Sequence, residues 1–174
     1  MSSEALYVVL VVLVGLERLA EVAVSRRNAA WAFERGGVES GRGHFPVMVV
    51  LHVGLLVGCV VEVLVADRPF VPALGWTMLA LVLASQVVRW WCIASLGRQW
   101  NTRVIVVPGL PLVRSGPYRF LPHPNYLVVV IEGAALPLVH GAWVTAVVFS
   151  VANAALLTVR IRAEERALTA AVAA

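Results

Sequence analysis

The chain has 174 residues, of which 60% are hydrophobic and only 14% charged, with a formal net charge of +4. Soluble globular domains carry about 25% charged residues, so the composition excludes that class and predicts one membrane-embedded domain, 1–174. All fourteen basic residues are arginine, spread along the edges of apolar runs. That spread argues against a nucleic-acid partner and for contact with lipid headgroups.

In chain order, five apolar runs are long enough for helices that cross about 30 Å of hydrocarbon at about 1.5 Å per residue. They cover 5–25, 46–66, 73–96, 126–140 and 142–159, and with no internal repeat they predict an all-α bundle. No basic region precedes the first run, and Glu17, Arg18 and Glu21 interrupt its second half. It is therefore expected to be a retained helix and not a signal peptide. Pro137 is expected to end or kink the short fourth run. Arg26, Arg27, Arg35 and Arg42 follow the first run, Arg98, Arg103, Arg114 and Arg119 the third, and Arg160, Arg162 and Arg166 the fifth. The second connection holds only Arg68 and the fourth has no arginine. The positive-inside rule then predicts an inner-membrane protein with its N-terminus outside and the first loop, third loop and tail cytoplasmic.

Cys59 and Cys92 lie inside predicted spans, where they read as small buried residues and not as a disulfide or metal framework. His52 and His140 are too isolated in the sequence to suggest metal ligands, so no metal site is expected. Glu17, Arg18, Glu21 and Glu62 are expected to form ion pairs within the bundle.

Three polar segments remain. "RRNAAWAFERGGVESGRGHFP" predicts a short interfacial helix and a loop, with Trp31 and Phe33 at headgroup depth. The second segment, between the third and fourth runs, contains "RSGPYRFLPHPNY". Pro117, Pro122 and Pro124 fix their own φ angles and push the residues before them out of helical geometry, holding this stretch extended or turned. Its backbone amides and carbonyls are left free for a ligand, and Tyr118 and Tyr126 offer flat surfaces for a ring. The same pattern also suits a purely structural interfacial turn. The third segment, "RIRAEERALTAAVAA", continues the fifth helix. There Arg160 and Glu164, at i and i+4, share one face and can pair, hold a ligand together, or simply face water.

Taken together, "LPLVRSGPYRFLPHPNY" and "RIRAEERAL" resemble the isoprenylcysteine carboxyl methyltransferases and related membrane phospholipid methyltransferases. The family pattern is approximately GxYxxxRHPxY followed by a distal RxxxE, and the likeness covers about 97–168. The resemblance implies a helical membrane enzyme that binds S-adenosylmethionine at the cytoplasmic surface without a Rossmann sheet. It places cofactor contacts on a backbone-rich strip, Leu110, Pro111, Leu112 and Val113, and on Tyr118, His123, Pro124, Asn125, Tyr126 and Glu164. It also gives Arg160 the task of facing the substrate. Pro122 stands where the family usually has an arginine, so the work of that arginine has no obvious owner here.

Three further residues are candidates for the chemistry. Asn101 and Arg103, in "GRQWNTRV" just after the third run, can hold an acceptor oxygen or serve as ordinary interfacial polar residues. Glu132 lies well inside the fourth run, where an ionisable side chain is costly. It is expected to line a lipid-substrate cavity as a hydrogen-bonding group or base, with a bundle-stabilising pairing to Arg89 or His52 as the alternative.

The expected function is O-methylation of a carboxyl or enolic hydroxyl on a lipophilic small molecule, prenylcysteine-like or alkylpyrone-like, with no obligate protein partner. Phospholipid N-methylation and a non-enzymatic transporter or scaffold are the alternatives.

Overall fold

The computed structural model describes residues 2–173. Helix α1 runs Ser3–Phe33, α2 His44–Val65, α3 Pro72–Leu96, α4 Pro124–Leu138 and α5 Trp143–Ala173. Local chemistry sets several of these ends. Ser2 caps α1 by accepting the Ala5 amide at 3.2 Å, and α3 and α4 each begin on a proline whose missing N–H costs nothing at that position. The turn after α4 brings Glu62 of α2 to the start of α5. Its carboxylate accepts the amides of Val144 at 3.1 Å and Thr145 at 2.7 Å, and the Thr145 hydroxyl at 2.8 Å.

The interior is a seam of Tyr7, Val11 and Val14 from α1, Leu55, Cys59 and Val63 from α2, Val82 from α3, and Leu136 and Phe149 from the last two helices. The Tyr7 hydroxyl donates to the Leu136 carbonyl at 3.1 Å. Small residues let the helices approach: a Cβ on Gly58 would sit 3.0 Å from the Thr145 side chain. Outside, the usual pattern is inverted. Leu6, Leu13, Leu16 and Leu19 of α1 and Val47, Val50, Val53, Val57 and Val61 of α2 are all exposed. This much aliphatic surface is tolerable only where hydrocarbon replaces water. Together with three helices long and apolar enough to cross a bilayer, it makes the chain a predominantly helical membrane protein.

Five helices are present, one for each expected run, and among the described residues three of them, α2, α3 and α5, are long and apolar enough to span a bilayer by length and composition alone. α4 has fifteen residues, and α1 carries Glu17, Arg18 and Glu21 in its middle. The all-α expectation missed a small antiparallel sheet, β1 (Val38–Ser40) on β2 (Val104–Val106), with Glu39 opposite Ile105. The separate interfacial helix is instead the last turns of α1, and Trp31 turns toward a cleft described below.

The charges inside the bundle are paired. Arg18 lies 3.0 Å from Glu21 and 2.8 Å from Gln86, Arg89 lies 3.6 Å from Glu21, and Gln86 lies 3.3 Å from Glu132. Arg89 binds the Glu132 carboxylate directly. Both Arg89 and Glu132 are 5% exposed. The pairing to Arg89 is therefore the observed environment of Glu132, and a cavity-lining role is not. The helix packing turns that face of α4 onto α1 and α3, where guanidinium and amide groups offset the cost of an ion in an apolar bundle.

Candidate active site

The long segment between α3 and α4 is fastened to α1 before it reaches the site. Gly97 takes φ 52° and starts a single 3₁₀ turn, Gly97–Gln99. Asn28 of α1 donates to the carbonyls of Gly97 at 3.1 Å and Trp100 at 2.7 Å. Ser25 donates to Asn101 Oδ1 at 2.7 Å and accepts the Thr102 amide at 3.0 Å. The Asn101 amide returns a bond to the Ser25 carbonyl at 3.2 Å, and Asn101 Oδ1 also accepts the Arg103 amide at 3.0 Å. Asn101 is thus occupied with holding the backbone. Trp100 is buried to 3% exposure, and β2 then pairs with β1.

From Val107 the chain runs open through Leu110 and Leu112, with the Pro111 carbonyl accepting from Gln99 at 3.5 Å. It tightens into a second 3₁₀ turn, Gly116–Arg119. Gly116 has φ 57° and leaves no room for a Cβ against the Ser95 side chain. Two constraints therefore require glycine there, the left-handed backbone and the close approach of this turn to α3. Tyr118 packs beside Cys92 of α3, and burial, with that thiol as neighbour, raises its phenol above the usual range. It is a neutral donor at working pH.

The first turn of α4 and the last turns of α5 meet over this segment. The His123 ring stacks on Tyr126, with centroids 5.5 Å apart and 26° between planes. Its ring nitrogens lie 3.9 Å from Glu164 and 3.6 Å from Glu165. The Tyr126 hydroxyl accepts from Arg160 Nε at 2.9 Å and donates to the Glu164 carboxylate. Arg160 is 7% exposed, donates through Nη2 to the Thr102 carbonyl, and directs Nη1 at the Met48 sulfur 3.0 Å away. One arginine thus joins α5 to α4, to α2 and to the segment that α1 fastens.

These elements enclose a cleft of about 750 Å³. Leu110, Leu112, Val113, Tyr118, His123, Asn125, Tyr126 and Glu164 line it, as do Asn101, Arg103 and Arg160. Pro111 and Pro124 are not among the lining residues. Pro111 keeps its place in the strip, and Pro124 is buried as the first residue of α4. Glu132 is likewise absent from the wall, held in the ion cluster. Trp31, Leu96, Trp100 and Leu168 also line the cleft. Sequence reasoning missed them as site residues, and also missed the fasteners Ser25 and Asn28. The available signal was the spacing of Glu21, Ser25 and Asn28, polar residues on one face of α1 that the structure buries.

Two polar atoms in residues of the cleft wall, Trp100 Nε1 and Asn125 Oδ1, have no hydrogen-bond partner among the described residues. A buried donor and a buried acceptor left unpaired are costly to the fold. No group of three or more His, Cys, Asp or Glu residues placed to hold a metal occurs among the described residues. His52 bonds the Met48 carbonyl at 2.8 Å, and His140 stands 3.1 Å from Ser3.

Residues 78–170 match the model of the isoprenylcysteine carboxyl methyltransferase (ICMT) family. Over 160 residues the chain is 42% identical to the uncharacterized protein YpbQ of Bacillus subtilis, covering 91% of this chain and 94% of the relative. Over 153 residues it is 24% identical to an uncharacterized protein of Haemophilus influenzae, covering 87% and 88%. The family match spans more than half of the chain and contains nearly all of the cleft, and the chain belongs to the isoprenylcysteine carboxyl methyltransferase family, a family of methyltransferases.

Proposed function

We propose that the chain is an integral membrane methyltransferase that uses S-adenosylmethionine to methylate an acidic oxygen, a carboxylate or enolate, on a lipophilic acceptor. The observation that carries this reading is the knot of Tyr126, Arg160 and Glu164 at the wall of a cleft of nucleoside-binding size. The lining fits such a cofactor: the Asn125 carboxamide and the His123 ring, both on the cleft wall, carry the donor and acceptor types that a purine pairs with. The Glu164 carboxylate suits an ammonium or ribose hydroxyls, and the His123–Tyr126 stack supplies an aromatic wall. When bound, the cofactor supplies a methyl group on a sulfonium, which an oxygen nucleophile takes by in-line displacement.

The protein's part is placement and electrostatics. Arg98, Arg103, Arg114, Arg119 and Arg160 line the cleft against Glu164 and Glu165, a positive surplus that draws an anionic acceptor and keeps it deprotonated. Arg160 has unused N–H groups on Nη1, where its neighbour is only a thioether sulfur. Exchanging that weak acceptor for an anionic oxygen strengthens the contact and orients the nucleophile. Trp31, Leu96 and Trp100 limit water on the apolar side of the cleft. In this reading α1 and α4 cross the bilayer beside α2, α3 and α5, with the charges of α1 turned into the bundle. The cleft and tail lie on the cytoplasmic side, where the arginines collect.

Detergent-purified, lipid-supplemented protein is expected to bind S-adenosylhomocysteine saturably by calorimetry, and Glu164→Ala and His123→Ala to lose that binding while remaining folded. Absence of saturable binding by folded wild-type protein would favour a transporter or scaffold. A product carrying a new N-methyl group would favour phospholipid N-methylation.

A further inference from the structure

The 101–103 segment separates two cavities. Asn101 lines the cleft, Thr102 lines a second cavity of about 520 Å³, and Arg103 borders both. The second cavity lies between α1, the turn after β1 and the start of α2, with Arg26, Arg42 and Arg103 against a single carboxylate, Glu39. The Glu39 side chain is 8% exposed and lies 3.4 Å from Arg42 Nε and 3.3 Å from Arg103 Nη1. One carboxylate shared between two guanidiniums, with a third beside them, leaves a positive surplus around a half-open groove.

We propose that this cavity holds the phosphate headgroup of an anionic membrane lipid, separate from the methyl acceptor. Three guanidiniums match the several acceptor oxygens of a phosphodiester, and arginine's planar fork can give two parallel bonds to such a group. The apolar part of the wall, Val22 and Phe45, continues outward along the same helix faces to Leu19 and Val49, one turn away on α1 and α2. Both of those are exposed, Leu19 at 66% and Val49 at 40%. A charged pocket that opens onto an aliphatic track fits an acyl-chain lipid better than a free ion. The partition to the cleft is fixed: Ser25 Oγ lies 2.8 Å from Thr102 Oγ1 and accepts the Thr102 amide at 3.0 Å. A headgroup in this cavity therefore stays apart from the reaction centre and competes with Glu39 for Arg103. Lipid binding here does not depend on the methyl-transfer reading above.

The test is native mass spectrometry and thermal unfolding of the purified full chain with phosphatidylglycerol, phosphatidylcholine or inorganic phosphate. Wild type is expected to retain one phosphatidylglycerol and to gain apparent Tm from it. Arg26→Gln/Arg42→Gln, at exposed positions, is expected to weaken that binding at least tenfold while S-adenosylhomocysteine binding stays unchanged. The isosteric Glu39→Gln removes the internal competitor and is expected to tighten lipid binding several-fold. Equal retention of phosphatidylcholine, equal protection by inorganic phosphate alone, an unaffected double variant, or no tightening in Glu39→Gln would each overturn the proposal.

Discussion

Replacing Glu132 by alanine separates a residue that holds the bundle together from one that takes part in chemistry. The substitution leaves Arg89 without its directly bound carboxylate and Gln86 without the acceptor at 3.3 Å. It also removes the more distant charge 3.7 Å from Arg18. Glu21 then remains as the buried acidic partner of Arg18 and Arg89, at 3.0 and 3.6 Å. Breaking a buried pair by deleting one partner costs about 3–5 kcal/mol. At about 2–4 °C per kcal/mol for a chain of this size, apparent Tm falls by about 10 °C. The double variant Glu132→Leu/Arg89→Met removes both charges and is expected to recover most of that loss, since an apolar pair of similar volume needs no counter-ion. The assay is thermal unfolding in one fixed detergent, followed by S-adenosylhomocysteine binding at a temperature where each variant is folded. Unchanged Tm in Glu132→Ala together with abolished methyl transfer would refute the reasoning and return Glu132 to the reaction centre.

Other outcomes follow from the same contacts. Glu62→Ala removes the carboxylate that caps α5 from another helix and is expected to cost about 1–2 kcal/mol of stability, read as a lower apparent Tm. Arg160→Lys keeps the charge but cannot reproduce the paired contacts to Tyr126 and Thr102. It is expected to lower kcat by about 100-fold, equivalent to losing roughly two charge-assisted hydrogen bonds, with S-adenosylhomocysteine affinity changed only a few-fold. Because burial raises the Tyr118 phenol above its ordinary value of about 10, the folded state holds that proton more tightly than the unfolded chain. Its stabilising contribution is complete below about pH 10 and is lost as pH rises above that, because the unfolded chain then releases the proton. Tyr118→Phe is expected to shallow the fall in apparent Tm between pH 9 and 11.

The parts of the fold that were legible in the sequence are those where one physical cause acts alone. α2 and α3 fall within two residues of the expected 46–66 and 73–96, because an unbroken aliphatic run has no other stable state in a bilayer. α1 runs eight residues past its expected end to Phe33, since the arginines after Ser25 end the apolar run without ending the helix. The β1–β2 pairing was harder to read: Val104–Val106 is a β-branched run that favours a strand, but its partner Val38–Ser40 has no such pattern and meets it across a long separation. In the site, the proline-stiffened segment and the RxxxE tail were legible because each is contiguous. The Ser25 and Asn28 fasteners were not, because their partners are loop carbonyls and amides about seventy residues away. Glu132 shows the limit of single-residue logic. A costly intramembrane charge announces that it has a partner or a cavity, and only the rotation of α4 against α1 and α3 decides which.

The most direct measurement is incubation of the purified full chain with isotope-labelled S-adenosylmethionine and a lipid extract from its own source, followed by identification of the labelled species. The account predicts label in a lipophilic acid or enol as a methyl ester or methyl ether, absent with Glu164→Ala. Folded protein that binds S-adenosylhomocysteine yet labels only amine headgroups, or labels nothing in that extract, would contradict it.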